Sequence, residues 1–314
     1  MLITLADIRQ ASERISPLIH RTPVLTSQTL NRQSGAQLFF KCENFQRAGA
    51  FKMRGAANAV LSLSDADRAK GVATHSSGNH GQALAKAAQS VGIPAYIVMP
   101  RTAPEVKKRA VAEYGAEIIF CEPTLQARED TLAQVIDRTE ATFVHPYNNE
   151  RVIAGQATAA LELIEDSGEL DVLMAPVGGG GLLSGTALST HYLLPQAEVI
   201  AGEPAGADDA YQSLQVGYII PSEKPDTIAD GLLTSLGDKT FPIIQEYVKE
   251  IITVSDEEIV AAMRLIWERM KIIIEPSCSV PLAALLKRSE DFADKRVGII
   301  LTGGNVDLAS LPFS

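Results

Sequence analysis

DVLMAPVGGGGLLSGTALSTHYLL (171–194) runs from an apolar, β-prone segment through four consecutive glycines into a helix-prone one. A strand ending at Val177, a turn without β-carbons and a helix behind it make one β-α unit. Such a turn lets several backbone N–H groups converge on one anion, and the helix N-terminus adds its dipole. It reads as a phosphate cup. It is not the dinucleotide fingerprint, because counting from Gly179 and Gly181 the third glycine position holds Ser184; nor does it end in the Lys-Ser/Thr of a nucleoside triphosphate loop.

The same alternation recurs on both sides. AYIVMP (95–100), AEIIFC (116–121), EVIAGE (198–203) and VGIILT (297–302) are short β-prone runs, while QALAKAAQSVG (82–92) and EEIVAAMRLIWERM (257–270) place apolar residues near helical spacing. An α/β fold with largely parallel sheets is expected. There is no fixed-period repeat, no low-complexity tract and no long polar linker, so 314 residues are expected to form two interleaved lobes sharing a cleft.

With 46% hydrophobic and 21% charged residues, the balance is that of a globular protein. A net charge of −10 opposes a nucleic-acid partner. No apolar run approaches the roughly 20 residues of a membrane span. Met1-Leu2-Ile3-Thr4 lacks the basic start of a signal peptide, and a cytoplasmic location is expected. Cys42, Cys121 and Cys278 are far apart with no CxxC pair, and read as reduced, buried thiols.

Three more segments could carry chemistry. GAFKMRGA (49–56) sets Lys52 between a glycine-containing turn and a helix-prone run, where a lysine can be both held and reachable; Schiff-base chemistry needs such a lysine partly desolvated. Taken alone, Lys52 reads as one of many solvated lysines. THSSGNHGQALAKAA (74–88) packs Ser76, Ser77, Asn79 and His80 around Gly78 at a helix start, which suits a carboxylate and equally suits an ordinary N-cap. LTGGNVDLAS (301–310) ends a strand at Thr302, whose hydroxyl could meet a ring nitrogen. Glu203, Asp208 and Asp209 offer hard oxygen ligands, although most such clusters are solvated loops. The five histidines show no HExxH spacing and there is no GxSxG elbow.

Taken in order, NFQRAGAFKMRGA, SSGNH, GGGG and TGGN resemble the fold type II pyridoxal-phosphate enzymes. RTPVLTS (21–27), FFKCENFQ (39–46), VIAGQ (152–156), GADDAYQS (206–213), TIADG (227–231), WERMK (267–271) and IEPS (274–277) point to the serine racemase and serine/threonine dehydratase branch, and the likeness runs nearly end to end. It implies a tryptophan synthase β-like fold, with a large cofactor domain over 1–73 and 149–314 and a small mobile domain over 74–148.

The resemblance also implies roles. Lys52 would hold pyridoxal 5′-phosphate through a Schiff base and then take the substrate α-proton, with Ser77 the acid on the opposite face. Phe51 would lie beside the ring and Asn79 would hydrogen-bond its phenolic oxygen. Gly178, Gly179, Gly180 and Gly181 would hold the phosphate, and Thr302 would contact the pyridine nitrogen. Ser76, Ser77, Asn79 and His80 would surround the substrate carboxylate. Glu203, the Ala207 carbonyl and Asp209 match the Mg²⁺ or Ca²⁺ site of serine racemases. The implied reaction is elimination of water from L-serine or L-threonine, giving a keto acid and ammonia, together with serine racemisation in a homodimer.

The nearest alternative is a 3-hydroxyaspartate dehydratase. A cysteine-synthase-like β-replacement enzyme, a nucleotide-dependent oxidoreductase and a silent amino-acid sensor fit the segments less well. Two departures bear on detail. Gln134 falls where animal serine racemases place an arginine near the substrate, and Arg47-Ala48 replaces the lysine-threonine pair of their ATP site, leaving ATP activation open. With Ser314 following soon after TGGNVD, no regulatory C-terminal domain is expected.

Overall fold

The computed structural model describes residues 3–313, apart from the side chain of Val106; Met1, Leu2 and Ser314, the ends of the expected large domain, lie outside them. Two sheets organise the chain. The larger has the order β1-β2-β10-β7-β8-β9, built from Val24–Leu25, Gln37–Cys42, Arg296–Leu301, Val172–Pro176, Glu198–Pro204 and Glu250–Val254. Every pairing in it is parallel except β1 with β2. The smaller is wholly parallel, with the order β5-β4-β3-β6 from Glu117–Cys121, Ala95–Pro100, Val72–His75 and Thr142–Phe143. The expected boundary at 73/74 thus falls inside β3.

The strands are continuous apolar runs because both faces of the large sheet are covered. Successive side chains alternate between two cores: Val172 and Met174 of β7 join Ile299 and Leu301 of β10 on one face, while Leu173 and Ala175 join Ile300 on the other. Helices Asp256–Met270 and Pro276–Lys287 close the first face through Ile259, Met263, Cys278 and Leu282. Helices Glu150–Ser167 and Gly181–Leu193 close the second through Ala160, Leu163, Leu183 and Ala187.

The lobes are not independent. Met53, Ala56 and Val60 of helix Lys52–Leu61 share one core with Leu84, Ala87 and Ile97 of the small lobe. Within the large lobe the same helix is fixed by a buried charge cluster. The Arg54 guanidinium grips Glu43 at 2.7 and 2.8 Å and Glu162 at 2.7 and 2.8 Å, while Lys41 Nζ lies 2.7 Å from Glu162. Two cations and two carboxylates balance there, and bidentate geometry offsets their desolvation. The lysine helix is thereby held to the end of β2 and to helix Glu150–Ser167.

The three cysteines are free and buried. Among the described residues, no helix is long and apolar enough to cross a membrane.

Candidate active site

In open parallel sheets ligands gather at the carboxyl ends of strands. Here β7 leads to Gly178, β10 to Thr302 and β3 to Ser76. Lys52 opens its helix beside these ends, because the Phe51 N–H donates to the Thr302 carbonyl at 2.9 Å and Ala50 bridges to Gly303. Lys52 Nζ lies 5.0 Å from the Phe51 ring centre and donates to the Pro146 carbonyl at 2.9 Å. Burial brings its ammonium down to about 8, against the pull of Glu275 in the other direction. A free amine is therefore accessible near neutral pH, as Schiff-base formation requires.

The glycine turn has the makings of an anion cradle. Among the described residues, the N–H groups of Gly178, Gly179 and Gly180 find no protein acceptor, and the three unpaired donors of the first turn of helix Gly181–Leu193 follow them. Gly180 has φ +86°, a conformation that disfavours any side chain. A β-carbon at Gly179 would lie 2.3 Å from the Tyr147 ring, which packs over the turn. The free donors, the helix start and the desolvated lysine fit a phosphate-bearing aldehyde such as pyridoxal phosphate.

The second turn supplies another set of donors. The Ser76 N–H is spent on the Val98 carbonyl and its hydroxyl accepts from the Gly78 N–H at 3.3 Å, which closes the turn. The N–H groups of Ser77, Asn79 and His80 are left unpaired at the start of helix Asn79–Val91. His80 behaves otherwise than expected. Its Nε2 donates to the Val144 carbonyl at 2.9 Å, and burial, with Lys52 nearby, holds the ring neutral with a pKa of about 3. Its side chain is thus committed away from an anion, and its backbone N–H is what it can offer one.

Several residues of the site escaped sequence reasoning. Pro146 anchors Lys52 and Tyr147 covers the glycines, both on a loop shaped by the His145 Nδ1, which accepts from the N–H groups of Tyr147 and Asn148. Glu275 accepts from Asn79 Nδ2 at 2.8 Å, and burial, reinforced by Asp230, pushes its carboxyl up to about 8. The IEPS motif was the available signal for it.

Gln134 is exposed on helix Leu125–Thr139. Six residues earlier, about 120° around the helix, lies Arg128; burial holds the His75 ring at the end of β3 below its ordinary range, with Glu129 opposing and Arg128 adding to that effect. The Arg128 Nε is buried without a hydrogen-bond partner, and among the described residues the guanidinium makes no ion pair.

Glu203 lies near the end of β8, and Asp209 opens helix Asp209–Val216 behind it. Glu203 accepts from the N–H groups of Ala210 and Tyr211 at 2.9 and 2.7 Å, yet burial pushes it up to about 9. Burial likewise raises Asp209 to about 6, and its Oδ2 is buried without a partner. Two such carboxyls fit a hard cation. No set of three His, Cys, Asp or Glu side chains with metal-binding placement occurs among the described residues, so a third protein ligand there would be a carbonyl, such as that of the buried Ala207 between them.

A two-lobed parallel α/β fold with a desolvated lysine facing a glycine anion cradle defines a pyridoxal-phosphate enzyme of fold type II, and the pyridoxal-phosphate dependent enzyme family model matches residues 15–303. The chain belongs to that family. It is 57% identical over 311 residues to the beta-hydroxyaspartate dehydratase of Paracoccus denitrificans, covering 99% of each. It superposes on the serine racemase of Dictyostelium discoideum with a TM-score of 0.94 at 52% identity, covering 98% of this chain and 99% of that one. For a T.th. threonine deaminase the TM-score is 0.93 at 42% identity, with 98% and 100% covered. The chain is thus an enzyme of the racemase and dehydratase group acting on a small amino acid.

Proposed function

We propose that this enzyme eliminates water from 3-hydroxyaspartate to give oxaloacetate and ammonia, and that it handles serine more slowly, by elimination and racemisation. The observation that carries the substrate choice is Arg128 on helix Leu125–Thr139, whose Nε is buried without a partner within electrostatic reach of His75 at the end of β3. A substrate with a second carboxylate would supply the anion that Arg128 lacks; serine would not. The similarity to a beta-hydroxyaspartate dehydratase supports the same choice.

When bound, pyridoxal phosphate supplies the conjugated electron sink for the charge left at the α-carbon. Lys52, as a free amine, would take the α-proton. The unpaired N–H groups of Ser77, Asn79 and His80 would bind the α-carboxylate, and the glycine N–H groups the phosphate. The Ser77 hydroxyl would return a proton on the opposite face, which is what racemisation requires. Thr302 would offer the ring nitrogen a neutral hydroxyl, favouring a moderate sink suited to elimination.

The same reading includes a divalent cation at Glu203, Ala207 and Asp209, a homodimer and a cytoplasmic location. Activation by ATP is not part of it, given Arg47 and Ala48.

Steady-state kinetics on 3-hydroxyaspartate and serine, with oxaloacetate, pyruvate and D-serine measured together, test the reading. A higher kcat/KM on the dicarboxylate is expected. A clear preference for serine would overturn the substrate choice, and protein that takes up no cofactor would overturn the reaction.

A further inference from the structure

Glu275 has no part in the roles above. It directly precedes helix Pro276–Lys287, yet its side chain does not cap that helix. Instead Oε1 accepts from Asn79 Nδ2 at 2.8 Å, and the Asn305 N–H reaches the same carboxyl. At the other end of the Asn79 carboxamide, Oδ1 accepts from Asn305 Nδ2 at 2.9 Å. That Nδ2 is itself fixed by donating to the Ala48 carbonyl at 2.8 Å.

The two ends of a carboxamide are nearly the same size, so its orientation is set by its partners. Glu275 presents an acceptor to Asn79, and Asn305 presents a donor. Only one orientation satisfies both: the amide nitrogen toward Glu275 and the oxygen toward Asn305. One N–H of Asn79 is then used, and the second has no protein partner among the described residues.

We propose that Glu275 and Asn305 are positioning residues that lock the Asn79 carboxamide with its second N–H free to donate to the phenolic oxygen of the ring held at Lys52. The inference rests on the reading that Asn79 faces that oxygen. Both residues act only through Asn79, so their effect disappears once Asn79 has no amide.

Asn79→Ala, Glu275→Gln and the double variant are compared by titrating apoprotein with pyridoxal phosphate and recording the visible imine band across pH. Glu275→Gln keeps the shape but replaces one of the two acceptor oxygens by an N–H₂ donor, so the N–H groups of Asn79 and Asn305 lose an acceptor. Each single variant is expected to weaken cofactor binding by about tenfold, the worth of one hydrogen bond, and to shift the band alike. The double variant is expected to match Asn79→Ala. A band and affinity untouched by Glu275→Gln, or effects that add in full, would overturn the proposal. An unaltered Asn79→Ala protein would instead remove the reading beneath it, and the proposal with it. Circular dichroism checks folding; should Glu275→Gln fail to fold, Asn305→Ala takes its place in the cycle with the same expected outcomes.

Discussion

Lys52 Nζ donates a 2.9 Å hydrogen bond to the carbonyl oxygen of Pro146, 94 residues further along the chain. The bond joins the helix that carries the lysine to the loop leaving the small sheet. It holds in place an amine that burial has brought to about 8.

Lys52→Ala should abolish the imine band and both reactions, read by absorbance and product analysis. The depressed ammonium also has a pH signature. Cofactor capture by wild-type apoprotein should accelerate with pH and level off above about 8. Between that value and the ordinary 10.5, the unfolded chain holds a proton that the folded one has released, so apoprotein stability gains as pH rises through this window. Lys52→Met removes that gain. Its thermal midpoint should therefore exceed the wild type's at neutral pH by a margin that shrinks from pH 8 upward.

Arg128→Met should lower kcat/KM on 3-hydroxyaspartate by about 10²-fold, the cost of leaving a bound carboxylate unpaired, while changing that on serine by less than about threefold. Equal losses on both substrates would assign Arg128 a structural part.

Ser77→Ala should reduce serine racemisation by about 10²-fold or more, as loss of a general acid does, while sparing elimination from L-serine. Pyruvate and D-serine formed in one reaction give the ratio directly; an unchanged ratio would contradict the two-face assignment.

Arg54→Met leaves Glu43 and Glu162 buried with Lys41 as their sole cation in the cluster. Urea unfolding should show a loss of about 3–5 kcal/mol. The protein should still bind cofactor under conditions where it remains folded.

Mg²⁺ or Ca²⁺ should raise the thermal midpoint of the wild type, and Glu203→Gln should remove that response, since the site would lose one of its two carboxylates. A cation effect that survives Glu203→Gln would place the ion elsewhere.

Much of the architecture was legible in the chain alone. AYIVMP and EVIAGE are strands close to the expected bounds, and the four glycines after Val177 form a turn into a helix, because β-branched runs, glycine and helix-prone alanine and leucine act locally. The order of four motifs around Lys52 pointed to the cofactor family, which the comparisons then bore out. Tertiary structure decided the rest. Pro146, Tyr147 and Glu275 reach the site across long sequence separations, so no local pattern marks them. His80 lies in the expected motif, but the Val144 carbonyl turns its ring away. Arg128 likewise comes within electrostatic reach of His75 only once helix Leu125–Thr139 has packed on the small sheet, which no local pattern marks.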